Sequence, residues 1–224
     1  MKTVELLADF LLSANREKAS SLIDDWVTQH GIGNVLVEIL TPALRMMGDL
    51  WEKEDVSIAQ AYVASKITDE VLANLSESLE GRVAGLATKG PVVLGNAEDD
   101  CHPLGRKIVA AFLRADGWLV HDLGYDVEPK KFVDRAITVG AKVIGVSAMM
   151  YTTAENVRAV RAEINGRGLQ GRIQLALGGA VFRLRPELVE QFGGDGTAAD
   201  ASGASELFGK LWNRAERGCG ADNE

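Results

Sequence analysis

The feature that most constrains the fold is the alternation, from residue 91 onwards, of short apolar runs with longer amphipathic segments. Apolar runs of this length without polar alternation are typical of strands that are covered on both faces of a parallel sheet. Strand candidates lie at Val92–Gly95, Trp118–Asp122, Val143–Ser147, Ile173–Leu177 and near Gly196–Ala198. The pattern predicts an α/β domain over residues 91–217, built on a doubly wound five-stranded parallel sheet of flavodoxin or Rossmann type.

The first 80 residues have a helical pattern instead. Their apolar residues recur at helical spacing in four segments with short connections, which predicts a four-helix bundle. A kink or restart is expected at Pro42 in the third helix, and Ser57 with Gln60 has the spacing of a capping box that opens the fourth. Residues 81–90 predict a linker, and the polar residues 218–224 predict a frayed tail.

Charge and cysteine usage exclude several classes of partner. The chain has 32 acidic and 24 basic side chains and a formal net charge of -8. Nucleic acid and membrane are therefore not expected as partners, because binding phosphate needs a concentrated basic patch. Cys101 and Cys219 lie far apart in unlike surroundings, which argues for a reducing compartment. Without a signal-like start or a membrane-length apolar run, the expected localisation is cytoplasmic.

A polar loop follows the first strand candidate and contains Asp100, Cys101 and His102. Ligands of doubly wound sheets bind at the carboxyl ends of the strands. A histidine two residues from a carboxylate has the composition of a metal ligand whose second ring nitrogen is held by an acid. On spacing alone, a solvated loop histidine among turn-forming acids is an equally good interpretation.

Hydroxyl side chains end the third strand candidate at Ser147 and continue in the following loop with Thr152 and Thr153. They would face the same crevice as His102 and could reach Asp100 or a ligand. The alternative is that one threonine caps a helix beginning at residue 154.

Paired glycines, Gly178 and Gly179, follow the fourth strand candidate. Such a pair allows a bulky ligand to approach the backbone closely, but it also serves any tight turn. No glycine loop has the spacing of a dinucleotide fingerprint or a P-loop, so neither phosphate-binding motif is indicated.

Several side chains that could form a zinc site surround the ends of the first two strand candidates. These are Asp99, Asp100, Cys101, His102, His121 and Asp122. A paired Cys-x-x-Cys and a His-Glu-x-x-His motif are both missing from the sequence, so a zinc site is not expected.

Together, these features resemble the two-domain cobalamin (B12)-binding proteins of the methyltransferase corrinoid-protein type, in which a helical cap bundle precedes a Rossmann-like B12-binding domain. The resemblance covers roughly residues 4–211. Its most specific motif, Asp-x-His-x-x-Gly, is present from Asp100 to Gly105. The later signals occur in the family's order, with Asp122-Leu123-Gly124 after the second strand, Ser147 after the third and Gly178-Gly179 after the fourth.

The resemblance implies a mode of binding called base-off/His-on. In that family a histidine replaces the dimethylbenzimidazole base as the lower axial ligand of cobalt, and the nucleotide tail enters a slot beside the sheet. By analogy, His102 would ligate cobalt, Asp100 would hydrogen-bond its other nitrogen, and Thr153 would complete the relay. Ser147 would contact the tail. The residues implied to make room for the tail are Gly105, Gly178 and Gly179.

The helical region resembles the family's corrin cap. Without the resemblance, Met47 and Trp51 would be interpreted as core residues of the third helix. Their segment is similar to the family's Gly-x-x-Trp helix end, which implies that both contact the upper face of the corrin. Adenosylcobalamin photosensors of this architecture carry a Glu-His pair where this chain has Ala61-Tyr62, which favours methylcobalamin over adenosylcobalamin.

Three positions around the motif differ from the usual family loop. Asp99 stands in place of the first glycine, Pro103 in place of the second acid, and Arg106 in place of the lysine. Because proline restricts the backbone and lacks a donor, we expect a stiffer loop beside the ligand.

The resemblance implies a corrinoid methyl carrier, a component of a methyltransferase system rather than a stand-alone enzyme. Its expected partners are a methyltransferase and a reductive-activation protein. The alternative is a cobalamin-dependent sensor that acts through a protein partner or an oligomer change, and cobalamin storage or delivery is a third possibility.

Overall fold

A computed structural model describes residues 2–53, 55–83 and 89–220, without the side chains of residues 51, 52, 58, 76–83, 219 and 220. The chain forms two compact units, Met1–Arg82 and Val83–Glu224. Of the predicted linker, residues 84–88 lie outside the described residues, as do residues 221–224 of the predicted tail.

The first unit is helical, as the periodicity predicts. Its helices are α1 (Lys2–Leu12), α2 (Arg16–His30), α3 (Ile32–Asn34), a π-helical segment (Val35–Leu40), α4 (Thr41–Glu52) and α5 (Ile58–Val83). The third predicted helix is thus continuous from α3 to α4, and the irregularity expected near Pro42 is the π-helical segment that precedes it. Within the described residues, the structure has no helix with the length and apolar character needed to cross a membrane.

The predicted capping box at the start of α5 is confirmed. The backbone N–H of Ser57 donates to Gln60 Oε1 at 3.0 Å, and the backbone N–H of Gln60 donates to Ser57 Oγ at 3.3 Å. Each side chain therefore satisfies a backbone donor that lacks an intrahelical partner.

The second unit is a parallel sheet with helices on both faces. Its strands are β1 (Pro91–Asn96), β2 (Leu119–Asp122), β3 (Val143–Ser147) and β4 (Gln174–Gly178), in the order β2-β1-β3-β4. The main helices are α6 (Leu104–Ala115), α7 (Pro129–Val139), α8 (Tyr151–Glu155), α9 (Val157–Gly166), α10 (Ala180–Leu184), α11 (Leu188–Gln191) and α12 (Ala204–Gly220). This arrangement confirms the predicted doubly wound α/β class.

Alternate residues of β1, β3 and β4 face two separate cores. On one face, Val93, Ile144 and Leu175 pack in a cluster with Phe132 of α7 and Val160 of α9. The other face forms a second cluster, whose members include Val92, Leu94, Val143, Leu113 of α6 and Phe208 of α12. Both faces of β1, β3 and β4 are covered, so these strands are mainly apolar, whereas the edge strand β2 is exposed or half-buried along its length.

The predicted fifth strand is wrong for the described residues. Near Gly196 the chain forms only an isolated parallel bridge to Ala176 of β4. The preceding segment contains Gly193, with φ of 81°, and Gly194. Glycines disfavour extended ladders because they lose more backbone entropy on folding and add no side-chain packing.

Candidate cofactor site

The ends of three strands lie in register at the carboxyl edge of the sheet. Asn96 of β1 is paired with Ser147 of β3, and Ser147 is paired with Gly178 of β4. The loop that follows β1 continues beside β3, since the backbone N–H of Ala97 donates to the Ser147 carbonyl at 2.9 Å. The topology therefore brings the loop after β1, Ser147 and Gly178 together at one edge of the sheet.

Asp100 is fully buried at this edge and accepts hydrogen bonds at both carboxylate oxygens. The donors are Asn96 Nδ2 (2.9 Å) and the His102 N–H (3.0 Å) at Oδ1, and the Met149 N–H (2.6 Å) and Thr153 Oγ1 (2.9 Å) at Oδ2. Burial alone would raise the pKa of this carboxyl, but the four hydrogen bonds outweigh burial and lower the pKa below its ordinary value of 3.8. The side chain is therefore a buried anion at neutral pH.

The His102 ring lies next to this anion and remains partly open to solvent. Its Nδ1 is 3.4 Å from Asp100 Oδ1, longer than an ordinary hydrogen bond, and its side chain is 52% exposed. Because Nδ1 faces the carboxylate, Nε2 is the ring nitrogen available to a ligand. The arrangement matches the chemistry of a metal-binding imidazole oriented by an acid.

Thr153 lies in the first turn of α8 and is buried. The helix begins at Tyr151, so the predicted start at residue 154 is wrong; the Ala154 N–H already donates to the Met150 carbonyl at 3.0 Å. The Thr153 hydroxyl lies 2.9 Å from Asp100 Oδ2 and 3.1 Å from the Met150 carbonyl oxygen. It has one proton, so it donates to one of these acceptors at a time.

Two residues without a predicted role complete the site. Asn96 is fully buried and donates through Nδ2 to Asp100 Oδ1 and to the His102 carbonyl at 3.0 Å. Arg106, also buried, donates through Nε to Asn96 Oδ1 at 2.7 Å and through Nη1 to Asp122 Oδ1. The sequence marks Asn96 as a polar residue that ends an apolar strand, but it has no signal for the contact with Arg106 ten positions later.

The loop geometry explains two of the departures from the family pattern. Asp99 has φ of 65°, a conformation that favours glycine, and its N–H donates to Asp126 Oδ1 at 2.9 Å. Asn156 Nδ2 holds the neighbouring Glu98 carbonyl at 2.9 Å. Pro103 precedes α6 with φ of -78°, where its missing N–H has no intrahelical partner to lose.

The three glycines predicted to make room for the nucleotide tail differ in their surroundings. A Cβ added at Gly105 or Gly178 would have no heavy atom of the described chain within 4 Å. At Gly179, φ is 105° and a Cβ would lie 2.0 Å from the Ala148 carbonyl oxygen. Close backbone packing therefore already requires glycine at 179, whereas residues 105 and 178 border open space. Ser147 is half-buried between these features.

The predicted cap residues belong to the helical unit. Met47 lies on α4 and is half-buried. Trp51 lies near the end of the same helix, and its side chain is outside the described residues. The assignment of both residues to a corrin cap remains a prediction.

His121, the other histidine of the sheet unit, has the opposite electrostatic environment. Its Nδ1 lies 2.9 Å from Arg135 Nη2, and since a guanidinium only donates, this nitrogen is the acceptor. Burial and the nearby Arg135 charge lower the pKa of His121 below its ordinary value of 6.5. A cavity of about 420 Å³, lined in part by Arg161 and Gln174, lies toward the other end of β4 and away from both strand-end loops.

A parallel sheet with a buried anion and a partly exposed histidine at its carboxyl edge defines a ligand-binding protein of the doubly wound α/β class. Two family models, both described as a B12 binding domain, match residues 90–205 and residues 3–76. The first match alone spans more than half of the chain. The chain therefore belongs to the B12-binding family, in the two-domain corrinoid-protein type.

Relatives of known name are consistent with this membership. The dimethylamine corrinoid protein 2 of Methanosarcina mazei is 30% identical over 179 residues, which are 79% of this chain and 82% of that protein. The monomethylamine corrinoid protein of Methanosarcina barkeri has a similar structure, with a TM-score of 0.75, 22% identity and coverage of 92% of this chain and 96% of that chain. A chain of the methanol:cobalamin methyltransferase complex MtaBC from Methanosarcina barkeri matches with a TM-score of 0.53 and 21% identity, over 95% of this chain and 80% of that chain.

Proposed function

We propose that this protein binds cobalamin through His102 and serves as the methyl carrier of a methyltransferase system. The observation that supports the binding mode best is the Asp100 carboxylate, which is buried, anionic and in contact with one ring nitrogen of a partly exposed imidazole. The corrinoid relatives support the carrier role, since they are named dimethylamine and monomethylamine corrinoid proteins.

The residues at the strand edge fit a corrinoid. Nε2 of His102 would bind the cobalt, while Asp100 would hold Nδ1 and stabilise a donating imidazole. Gly105 and Gly178 border open space into which a nucleotide tail could extend, and Ser147 is paired with Gly178 at the ends of β3 and β4. Bound cobalamin would supply a cobalt centre that takes up and releases a methyl group.

Asp100 would hold a proton on Nδ1 of His102, while the Thr153 hydroxyl donates to the other carboxylate oxygen. The carboxylate is a strong acceptor for an imidazolium at Nδ1, because both groups are then charged and lie close together. The Thr153 hydroxyl can donate its one proton to the other carboxylate oxygen or to the Met150 carbonyl, and the Met149 N–H donates to that carboxylate oxygen in either case.

The partners follow from the carrier role. A methyltransferase would deliver the methyl group, which the structural match to a chain of a methyltransferase complex supports. A reductive-activation protein would reduce cobalt that has become oxidised. The net charge of -8 is unfavourable for nucleic acid and for anionic membranes. A cytoplasmic location agrees with these partners and with the cysteine usage.

Methylcobalamin is the favoured form. Tyr62 stands where adenosyl-specific sensors of this architecture carry histidine, and its side chain is exposed. We expect the protein to bind methylcobalamin and hydroxocobalamin, and to keep its oligomeric state on illumination. Preferential adenosylcobalamin binding with a light-driven change of oligomer, measured by gel filtration, would contradict the carrier role and support a sensor.

Ligation of cobalt by histidine is tested by 15N labelling of the chain's three histidines. Protein labelled with [15N]histidine is loaded with hydroxocobalamin and reduced to Co(II). An axial 14N nitrogen splits the cobalt lines in the EPR spectrum into triplets, whereas an axial 15N nitrogen gives doublets. We expect doublets in the parent and in His121→Gln, and their loss in His102→Ala. Triplets in the labelled parent would mean that the dimethylbenzimidazole base, not His102, ligates cobalt.

A further inference from the structure

The Asn96 side chain bridges two groups that would otherwise be independent, and it does so without solvent contact. Its Nδ2 contacts both Asp100 Oδ1 at 2.9 Å and the His102 carbonyl oxygen at 3.0 Å. One amide nitrogen with two protons thus fixes the acid and the backbone of the proposed ligand relative to each other. No other side chain of the described residues makes both contacts.

The orientation of that amide is set from its other side. Arg106 Nε lies 2.7 Å from Asn96 Oδ1. A guanidinium has only donors, so the atom of Asn96 that faces it must be the oxygen, and the nitrogen must then face Asp100. A flipped amide would place an NH₂ group against Arg106 and an oxygen against an anion, with both contacts repulsive.

The charge of Arg106 has its own partner. Nη1 of Arg106 donates to Asp122 Oδ1, and that oxygen also accepts the Gly124 N–H at 3.0 Å. The guanidinium is therefore compensated at the end of β2, and the neutral Asn96 amide separates it from Asp100. The negative charge of Asp100 remains directed to its neutral donors and to the His102 ring.

We infer that Asn96 and Arg106 are positioning residues for the cobalt ligand: Arg106 orients the Asn96 amide, and the amide holds Asp100 and His102 in the geometry that presents Nε2. This inference rests on the proposed ligation by His102. It also gives Arg106, which replaces the usual lysine of the family loop, a specific role in this chain.

The test measures ligation per bound corrinoid, so that a general loss of stability does not count. [15N]Histidine-labelled variants are loaded with hydroxocobalamin, reduced to Co(II), and compared by the ratio of doublet to uncoupled EPR signal. In Asn96→Leu the isosteric side chain has no donor, and we expect the ratio to fall about tenfold, as for loss of a buried hydrogen bond. Asn96→Ala, which leaves room for a water, is the second variant if Asn96→Leu does not fold.

Arg106 is tested with a rescue and a matched control. Arg106→Met keeps the aliphatic stem but cannot orient the amide, so the ratio should fall, whereas Arg106→Lys still only donates and should keep most of it. The control is Arg161→Met, which removes a guanidinium that contacts Asp195 and the Gly193 carbonyl, away from the strand-end loop. We expect this variant to lose stability while its EPR ratio equals the parent's.

Three outcomes would overturn the inference. Parent-like ratios in the Asn96 and Arg106→Met variants would show that neither residue positions the ligand. An equal fall in Arg161→Met would show that the ratio reports general destabilisation. Absence of the doublet in the parent would overturn the ligation by His102 together with its positioning residues, and is distinguished from the first outcome by the parent spectrum alone.

Discussion

Asp100 and Asp195 lie toward opposite ends of the same sheet, and their carboxylates are held by different kinds of partner. Asp195 contacts a cation, Arg161 Nη2, and accepts the Leu175 N–H at 2.6 Å near the start of β4; its side chain is 26% exposed. Asp100 is fully buried and receives four hydrogen bonds from neutral donors.

The two carboxylates differ in how their negative charge is stabilised. The Asp195 charge is compensated by a guanidinium, so this carboxylate mainly fastens the segment after α11 to β4. The Asp100 charge is stabilised by four neutral hydrogen-bond donors, and the carboxylate lies 3.4 Å from Nδ1 of the His102 ring. A metal-bound imidazole commonly donates its other ring N–H to a carboxylate, which fixes the ring orientation.

The largest effect is expected when the carboxylates are removed. Asp100→Ala removes the buried acceptor of four hydrogen bonds, and we expect the free energy of unfolding to fall by about 3 kcal/mol. Asp195→Ala should cost only about 1 kcal/mol, because water can reach the site and Arg161 Nε keeps the Gly193 carbonyl at 2.6 Å. Urea unfolding measures both, with hydrogen exchange of the strand amides to assign the loss to this unit. Equal losses would mean that the two carboxylates are held equivalently.

A smaller change tests whether the backbone at the Asp100 end is strained independently of the carboxylate. Asp99, with φ of 65°, adopts a conformation that glycine tolerates and alanine does not. We expect Asp99→Ala to lower the free energy of unfolding by about 1 kcal/mol and Asp99→Gly to leave it within about 0.5 kcal/mol of the parent. Both variants keep the backbone N–H that donates to Asp126. A glycine variant less stable than the alanine variant would show that the Asp99 side chain, rather than φ, determines this position.

The sequence predicts which residues lie at the strand ends better than it predicts the side-chain contacts between different elements. Strand-end position follows from apolar runs, so the crevice that contains Asp100, Ser147 and Gly178 could be predicted from topology rules. The Asn96–Arg106 contact could not, because it depends on how the first turn of α6 faces the end of β1. The start of α8 at Tyr151 differs from the prediction for a similar reason: Met150 is the N-cap residue, and Thr153 acts from inside the first turn, where its hydroxyl accepts the Met150 N–H at 3.4 Å.

The fifth strand illustrates the limit of apolar patterning. Asp195 and Gly196 do exchange hydrogen bonds with β4, through the Asp195 N–H to the Leu175 carbonyl and the Leu177 N–H to the Gly196 carbonyl. The contact with the sheet was therefore predicted, but its extent was not. Two glycines precede Asp195, and the Asp195 carboxylate accepts the Leu175 N–H. The pairing with β4 is therefore restricted to a single bridge.

The smallest expected effect comes from a third aspartate, which extends the comparison to the surface. Asp116, 49% exposed, contacts Lys89 and Ser205; burial opposes these contacts but does not outweigh them, so its pKa lies below 3.8. A lowered pKa means that the carboxylate stabilises the fold above pH 3.8 and loses this contribution as the pH falls through the folded-state value. For an exposed pair we expect at most about 0.5 kcal/mol. Thermal unfolding of the parent and Asp116→Asn should therefore differ by a small constant amount at pH 5 to 7, and the difference should shrink as the pH falls below about 3.8. A difference that grew with acidity would show that the ionised form of Asp116 destabilises the fold, contrary to the contacts with Lys89 and Ser205.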